Sequence, residues 1–320
     1  LAEVATIFDC LSEQVQFRML FLAQHRYAVH AILKNLGTGL TQKDEKNEKT
    51  CHDFKLIANP WRQIMLSTAG LLIAPGLMWG WLFYRLHRYQ RASLRRLAAL
   101  FVGGMCCGLI ALLLNHSVEK YTLFWPGAEE TFLWMDRDWP LYKAGFWMLV
   151  GFNEETAKLL VLLLLSFPTR HLREPFDGIL HGAVVALGFA TLENGFYLQQ
   201  YGVGVVATRT VVTLPAHAFM SVPLGYFVAK ARLSQLQGAD AAAVTRLLLG
   251  GWLIAAVLHG TYDLLLSFGF SKWAYAQIAL MGLFSLWLGV SNWRHSAYLP
   301  SLHKSQPSNR WLAFLLGSRS

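Results

Sequence analysis

Four short stretches of this chain place ionisable side chains inside otherwise apolar sequence, and each spacing has a chemical reading. Residues 154–158 read Glu-Glu-Thr-Ala-Lys and residues 189–194 read Phe-Ala-Thr-Leu-Glu-Asn; His217 lies four residues before Ser221, and His259 four before Asp263. Residues four apart on a helix share a face, so Glu154 faces with Lys158 and Asp263 can orient the His259 imidazole. Glu155 points about 100° away from Glu154. One carboxylate of the pair can neutralise Lys158, which leaves the other for general acid or base work. Glu193 has no basic residue on its own predicted helix. Pro215, just before His217, frees the carbonyl of Val211 and opens room beside the imidazole. A water held between Glu and His in a dry pocket is a hydrolytic arrangement: Glu takes the proton, and His or Asp stabilises the oxyanion or protonates the leaving amine. Asp177 and His181 repeat the four-residue spacing near a predicted helix start, where they read as a cap and a structural pair.

The elements that must position these residues are membrane helices. The 320 residues are 54% hydrophobic and 15% charged, well short of the quarter expected of a soluble domain. Seven segments are long and apolar enough to span: Gln63–Tyr84, Leu97–Val118, Leu141–Phe167, Gly178–Tyr201, Gly204–Ala229, Leu247–Phe268 and Trp273–Trp293. The fold class is therefore all-α, a polytopic transmembrane bundle. A net charge of +9 would suggest nucleic acid in a soluble protein, but here the basic residues fall in short loops between spans and report topology. Arg85, Arg88, Arg91, Arg95 and Arg96 follow the first segment, and acidic residues dominate Glu119–Pro140. Basic residues return after the third, fifth and seventh segments. The expected topology has the N-terminus outside and the C-terminus cytoplasmic. The four cysteines have neither disulfide-framework nor metal-ligand spacing.

An ionisable group at the bilayer centre costs about 2.5–3.5 kcal/mol even on the lenient scale, so each marks a functional site by default. Counting from the outer helix ends at 1.5 Å per residue puts Glu155 and His217 roughly 20 Å deep and Glu193 and His259 roughly 12–14 Å, compatible with one layer. The expected catalytic residues are Glu154, Glu155, Glu193, His217, His259 and Asp263. Other designs for cutting peptides in membranes fit poorly. Ser221 lacks the glycine-rich setting of a rhomboid-like nucleophile, no H-E-x-x-H zinc motif is present, and Asp263 has no partner in a G-x-G-D setting.

The ordered set E-E-x-x-K, F-x-x-x-E-N, H-x-x-x-S and H-x-x-x-D, on four consecutive predicted helices over about residues 65–295, resembles the PrsW family, relatives of the CAAX prenyl protease and bacteriocin-processing peptidases. The resemblance implies a bacterial inner-membrane peptidase of glutamic type, in which a Glu of the E-E pair activates water and His259 and Asp263 bind the carbonyl. It implies a membrane-bound protein substrate, such as a single-pass anti-sigma factor, and no nucleic acid. No cofactor is expected on this reading. If the site is metal-dependent, zinc held by Glu193, His217 and His259 is the expected arrangement. Two other classes share these residues. One is a non-catalytic scaffold, opposed by the retention of both Glu and both His. The other is a proton-coupled carrier or haem protein, opposed for the carrier by the absence of internal repeats.

Residues 1–62 stand apart as an N-terminal extension with a polar run at Thr41–Thr50; residues 63–293 form the expected peptidase-like domain and 294–320 a basic cytoplasmic tail. The extension lacks the pattern of a cleavable signal, so the first span is expected to serve as its own membrane signal. With Met65 at the start of that span, the extension is expected to be dispensable.

Overall fold

The computed structural model describes residues 68–86, 92–122, 130–134 and 137–293. The 1–62 extension and the 294–320 tail lie outside the described residues. Helix α1 covers 68–86. It is followed by α2 (Leu94–Thr122), a hairpin of β1 (Thr131–Trp134) and β2 (Arg137–Pro140), and then α3 (Leu141–Leu165), α4 (Pro175–Tyr201), α5 (Val203–Val211), α6 (Thr213–Leu236), α7 (Ala241–Ser267) and α8 (Ser271–Trp293).

The fold is a helical membrane bundle. Among the described residues, five stretches are long and apolar enough to cross a bilayer: Leu94–Glu119, Pro175–Tyr201, Val203–Leu236, Ala241–Ser267 and Ser271–Ser291. Helix α3 falls short of that composition because it carries Lys143, Glu154, Glu155 and Lys158, three of which build the site described below. The hairpin was not foreseen. Its strands pair antiparallel with Phe132 opposite Trp139, and Trp139 stacks on Phe268 at 4.2 Å, pinning the connection between α2 and α3 to the end of α7.

The single helix expected over 204–229 is divided at Val212. Pro215 has no N–H to give the carbonyl of Val211, and the ladder resumes with Ala216 N donating to the carbonyl of Val212 at 3.1 Å. Helix α4 starts three residues earlier than expected, with Pro175 in its first turn and a capping box between Glu174 and Asp177.

Helix α4 is the axis of the bundle, with 89% of its spanning window buried against 22% for α7. Such burial requires neighbouring backbones to come close, which only small residues permit in a membrane interface. Gly178 of α4 and Gly225 of α6 each lie against the other's carbonyl. On the far side of the site, Gly151 of α3 sits on the backbone of Gly260 of α7. That crossing sets Glu155, one turn beyond Gly151, opposite His259, the residue before Gly260.

Candidate active site

Helices α3, α4, α6 and α7 bring all six expected residues into one cluster, with Glu154, Glu155, His217 and His259 buried and Glu193 and Asp263 partly buried. Glu155 is its most completely bonded member. Its Oε1 accepts from Lys158 Nζ at 2.6 Å and lies 2.9 Å from His259 Nδ1, while Oε2 accepts from Ser221 Oγ at 2.9 Å. Lys158 thus pairs with Glu155 at i,i+3 rather than with Glu154 at i,i+4; both spacings lie on one helix face, and Lys158 also stands 3.4 Å from His217 Nδ1.

Glu154 is held differently. Its Oε1 accepts from Asn115 Nδ2 of α2 at 3.2 Å, and Asn115 in turn accepts from Asn153 at 3.1 Å. Its Oε2 is buried and has no hydrogen-bond donor among the described residues. That atom lies 3.4 Å from His259 Nε2, which is also 3.4 Å from Asp263 Oδ2. Glu155 therefore anchors one nitrogen of His259, and the other nitrogen faces two carboxylates.

The imidazoles of His217 and His259 meet edge to face with centroids 4.9 Å apart. His217 Nε2 contacts Glu193 Oε2 at 3.0 Å. Phe189, one turn before Glu193, lies under Lys158 Nζ at 4.4 Å from its ring centre and packs on His217 at 5.8 Å. The ammonium is thus solvated by Glu155 on one side and an aromatic face on the other.

Two contributors lie outside the four motifs. Asn115 gave no signal, because one amide in an apolar span has no motif around it. Arg209 did give one, since it is an arginine inside a predicted span. Its Nη2 meets Glu193 Oε2 at 2.7 Å, its Nε donates to Asn194 Oδ1 at 2.7 Å, and its guanidinium stacks 3.7 Å from the centre of Tyr197. Asp177 accepts from the backbone N–H groups of Arg173 and Glu174 at 2.8 and 3.2 Å, as a cap does. His181 Nδ1 lies 2.6 Å from Ser166 Oγ at the end of α3, away from the cluster.

A divalent cation would find suitable donors here. Among the described residues, Glu154, His217 and His259 are buried and offer ligand atoms within 4.8 Å of one another. The carboxylate of this set is Glu154, not the expected Glu193, whose Oε2 is engaged by Arg209. Neither Glu154 Oε2 nor Glu193 Oε2 has a hydrogen-bond partner among the described residues, but Glu193 Oε2 lies 2.7 Å from Arg209 Nη2 while Glu154 Oε2 has no cationic side chain of Lys or Arg paired with it there. Four carboxylates (Glu154, Glu155, Glu193, Asp263) face two fixed cations (Lys158, Arg209), so with both imidazoles neutral, as metal ligation requires, a dication would bring the cluster to formal neutrality.

Carboxylates and imidazoles converging between membrane helices, with one acceptor left open beside an imidazole, make a site suited to hydrolysis within a bilayer. Residues 92–290 match the family described as PrsW family intramembrane metalloprotease, and the chain belongs to that family. It is similar to the protease PrsW of Bacillus subtilis (strain 168), with 39% identity over 140 residues. That match covers 44% of this chain and 61% of the relative, under two thirds of its length. With the protease PrsW of Shouchella clausii (strain KSM-K16) it shares 30% identity over 224 residues, covering 70% of this chain and 94% of the relative. With that of Clostridioides difficile (strain 630) it shares 27% over 191 residues, covering 58% and 73%. No solved structure matches the chain.

Proposed function

We propose that this membrane peptidase hydrolyses a peptide bond of a single-pass membrane protein inside the bilayer, with Glu154 taking the proton from the attacking water. The observation that carries the reading is the asymmetry of the glutamate pair. Glu155 has both oxygens committed in hydrogen bonds of 2.9 Å or less, whereas Glu154 Oε2 is buried and meets His259 Nε2 only at the longer distance of 3.4 Å. In this mechanism the water O–H breaks toward Glu154 Oε2 while the water oxygen attacks the carbonyl carbon. Protonated His259, held through Nδ1 by Glu155, donates from Nε2 to the oxyanion and passes that proton to the leaving nitrogen as the C–N bond breaks. The proton on Glu154 then returns to His259 across 3.4 Å, closing the cycle. Asp263 holds the same nitrogen from the other side, and Glu193 holds His217.

A second reading has its own support in the Glu154, His217 and His259 donor set. A divalent cation bound there would supply Lewis-acid polarisation of water and carbonyl. The ammonium of Lys158, 3.4 Å from His217 Nδ1, sets a fixed positive charge against one of those donors and favours the metal-free reading. Metal analysis of the purified protein, with cleavage measured before and after chelation, separates the two. Retained cleavage in metal-free protein, lost in Glu154→Gln, supports the glutamic reading. Cleavage lost to chelator and restored by zinc replaces it with the metal reading.

The proposed setting is a bacterial cell membrane crossed seven times, with the N-terminus outside and the C-terminus cytoplasmic. The proposed catalytic unit lies within residues 63–293, with residues 1–62 dispensable to it.

A further inference from the structure

We infer that Arg209 is a positioning residue for the cluster: it clamps Glu193 against His217 and so fixes the orientation of that imidazole. The geometry is a chain of short contacts. Arg209 Nη2 reaches Glu193 Oε2 at 2.7 Å, and the same oxygen meets His217 Nε2 at 3.0 Å. A carboxylate on a flexible side chain, 21% exposed, would not by itself hold one rotamer under an imidazole. The guanidinium removes that freedom because it is itself fixed on three sides, by Glu193, by Asn194 Oδ1 at 2.7 Å, and by the Tyr197 ring at 3.7 Å. These three contacts use the planar fork and the flat face that distinguish arginine from lysine.

The backbone supports the same role. Arg209 is carried on the short helix α5, set off from α6 by the division at Val212, so its placement is not dictated by the His217 helix alone. Trp79 of α1 donates from Nε1 to the carbonyl of Thr210, the next residue, at 3.2 Å. The side chain of Val206, one turn earlier, is buried. Helix α5 is thus tied down on both sides of Arg209, and the arginine conveys that anchorage through Glu193 to His217. Hydrogen-bonded partners behind a metal-ligating histidine typically contribute 10–100-fold to metal affinity or activity, and His217 is one of the three donors that could hold a cation here.

The inference rests on the peptidase reading for its kinetic arm alone; a spectroscopic arm tests it independently. In full-length protein solubilised in detergent and labelled with 15N-histidine, the His217 resonance is assigned by its loss in His217→Gln. Arg209→Ala is expected to move that resonance as Glu193→Gln does, the double variant no further than either, and Arg209→Lys part of the way. With a single-pass membrane protein that the wild type cleaves, Arg209→Ala is expected to lower kcat about 10–100-fold with KM within about twofold. Where Arg209→Ala is not recovered folded, Arg209→Lys carries the same comparison. A His217 resonance unchanged in the Arg209 variants, or shifts that add in the double variant, overturns the inference. So does a loss confined to KM.

Discussion

Replacing Glu155 by Gln should damage the fold more than replacing Glu154, although the two are adjacent and both buried. The Glu155 carboxylate and the Lys158 ammonium are fully buried and 2.6 Å apart. Gln at 155 keeps an amide oxygen to accept from Lys158 and His259 but removes the charge, which leaves a buried ammonium with no anion in contact. Breaking a buried pair from one side costs about 3–5 kcal/mol, and the retained acceptor places this case near 3 kcal/mol. For a bundle of this size that corresponds to a fall in Tm of about 6–12 °C. Glu154→Gln keeps the acceptor for Asn115 and strands no cation, so its cost should be about 1 kcal/mol. The assay is thermal unfolding in detergent followed by intrinsic tryptophan fluorescence. The double variant Glu155→Gln/Lys158→Met, which removes both charges, should recover part of the loss. The reasoning is refuted if Glu155→Gln unfolds at the wild-type temperature, or if Glu154→Gln falls as far.

Gly151→Ala would drive a methyl into the backbone of Gly260 and part the helices that carry Glu155 and His259. It should cost about 1–3 kcal/mol and reduce cleavage, whereas Gly250→Ala, which meets nothing within 4 Å, should leave both unchanged; thermal unfolding and cleavage assays compare them. His181→Ala should lower Tm through loss of its bond to Ser166, worth about 1 kcal/mol, while retaining cleavage, because His181 lies outside the cluster. A matching loss of cleavage in folded His181→Ala would place it in the site. Reporter fusions after Arg96 and after Ser320 should report cytoplasm and one after Glu130 the outside; a cytoplasmic signal at Glu130 would overturn the proposed orientation.

The bundle was legible because lipid imposes a coarse rule, about twenty apolar residues per span, and the site was legible because ionisable residues break that rule. Glu154, Glu193, His217 and His259 break it within recognisable spacings, and Arg209 breaks it with no motif around it. Partner choice was not legible. Whether Lys158 joins Glu154 or Glu155 depends on where His259 stands, and that is decided by the Gly151–Gly260 crossing between distant helices. The division at Val212 follows from Pro215, which marked the disturbance but not its position. The hairpin escaped notice because two four-residue strands bounded by Trp and Pro carry too short a pattern to stand out from a loop.

The central claim is tested most directly by incubating the protein in lipid vesicles with a single-pass membrane protein in 18O-labelled water and locating the cut by mass spectrometry. The account predicts a cut within the transmembrane segment, one 18O atom in the new carboxyl group, and a fall of about 10²-fold or more when Glu154 is replaced by Gln in protein that remains folded. A cut in a soluble loop, or undiminished cleavage by folded Glu154→Gln, would contradict it.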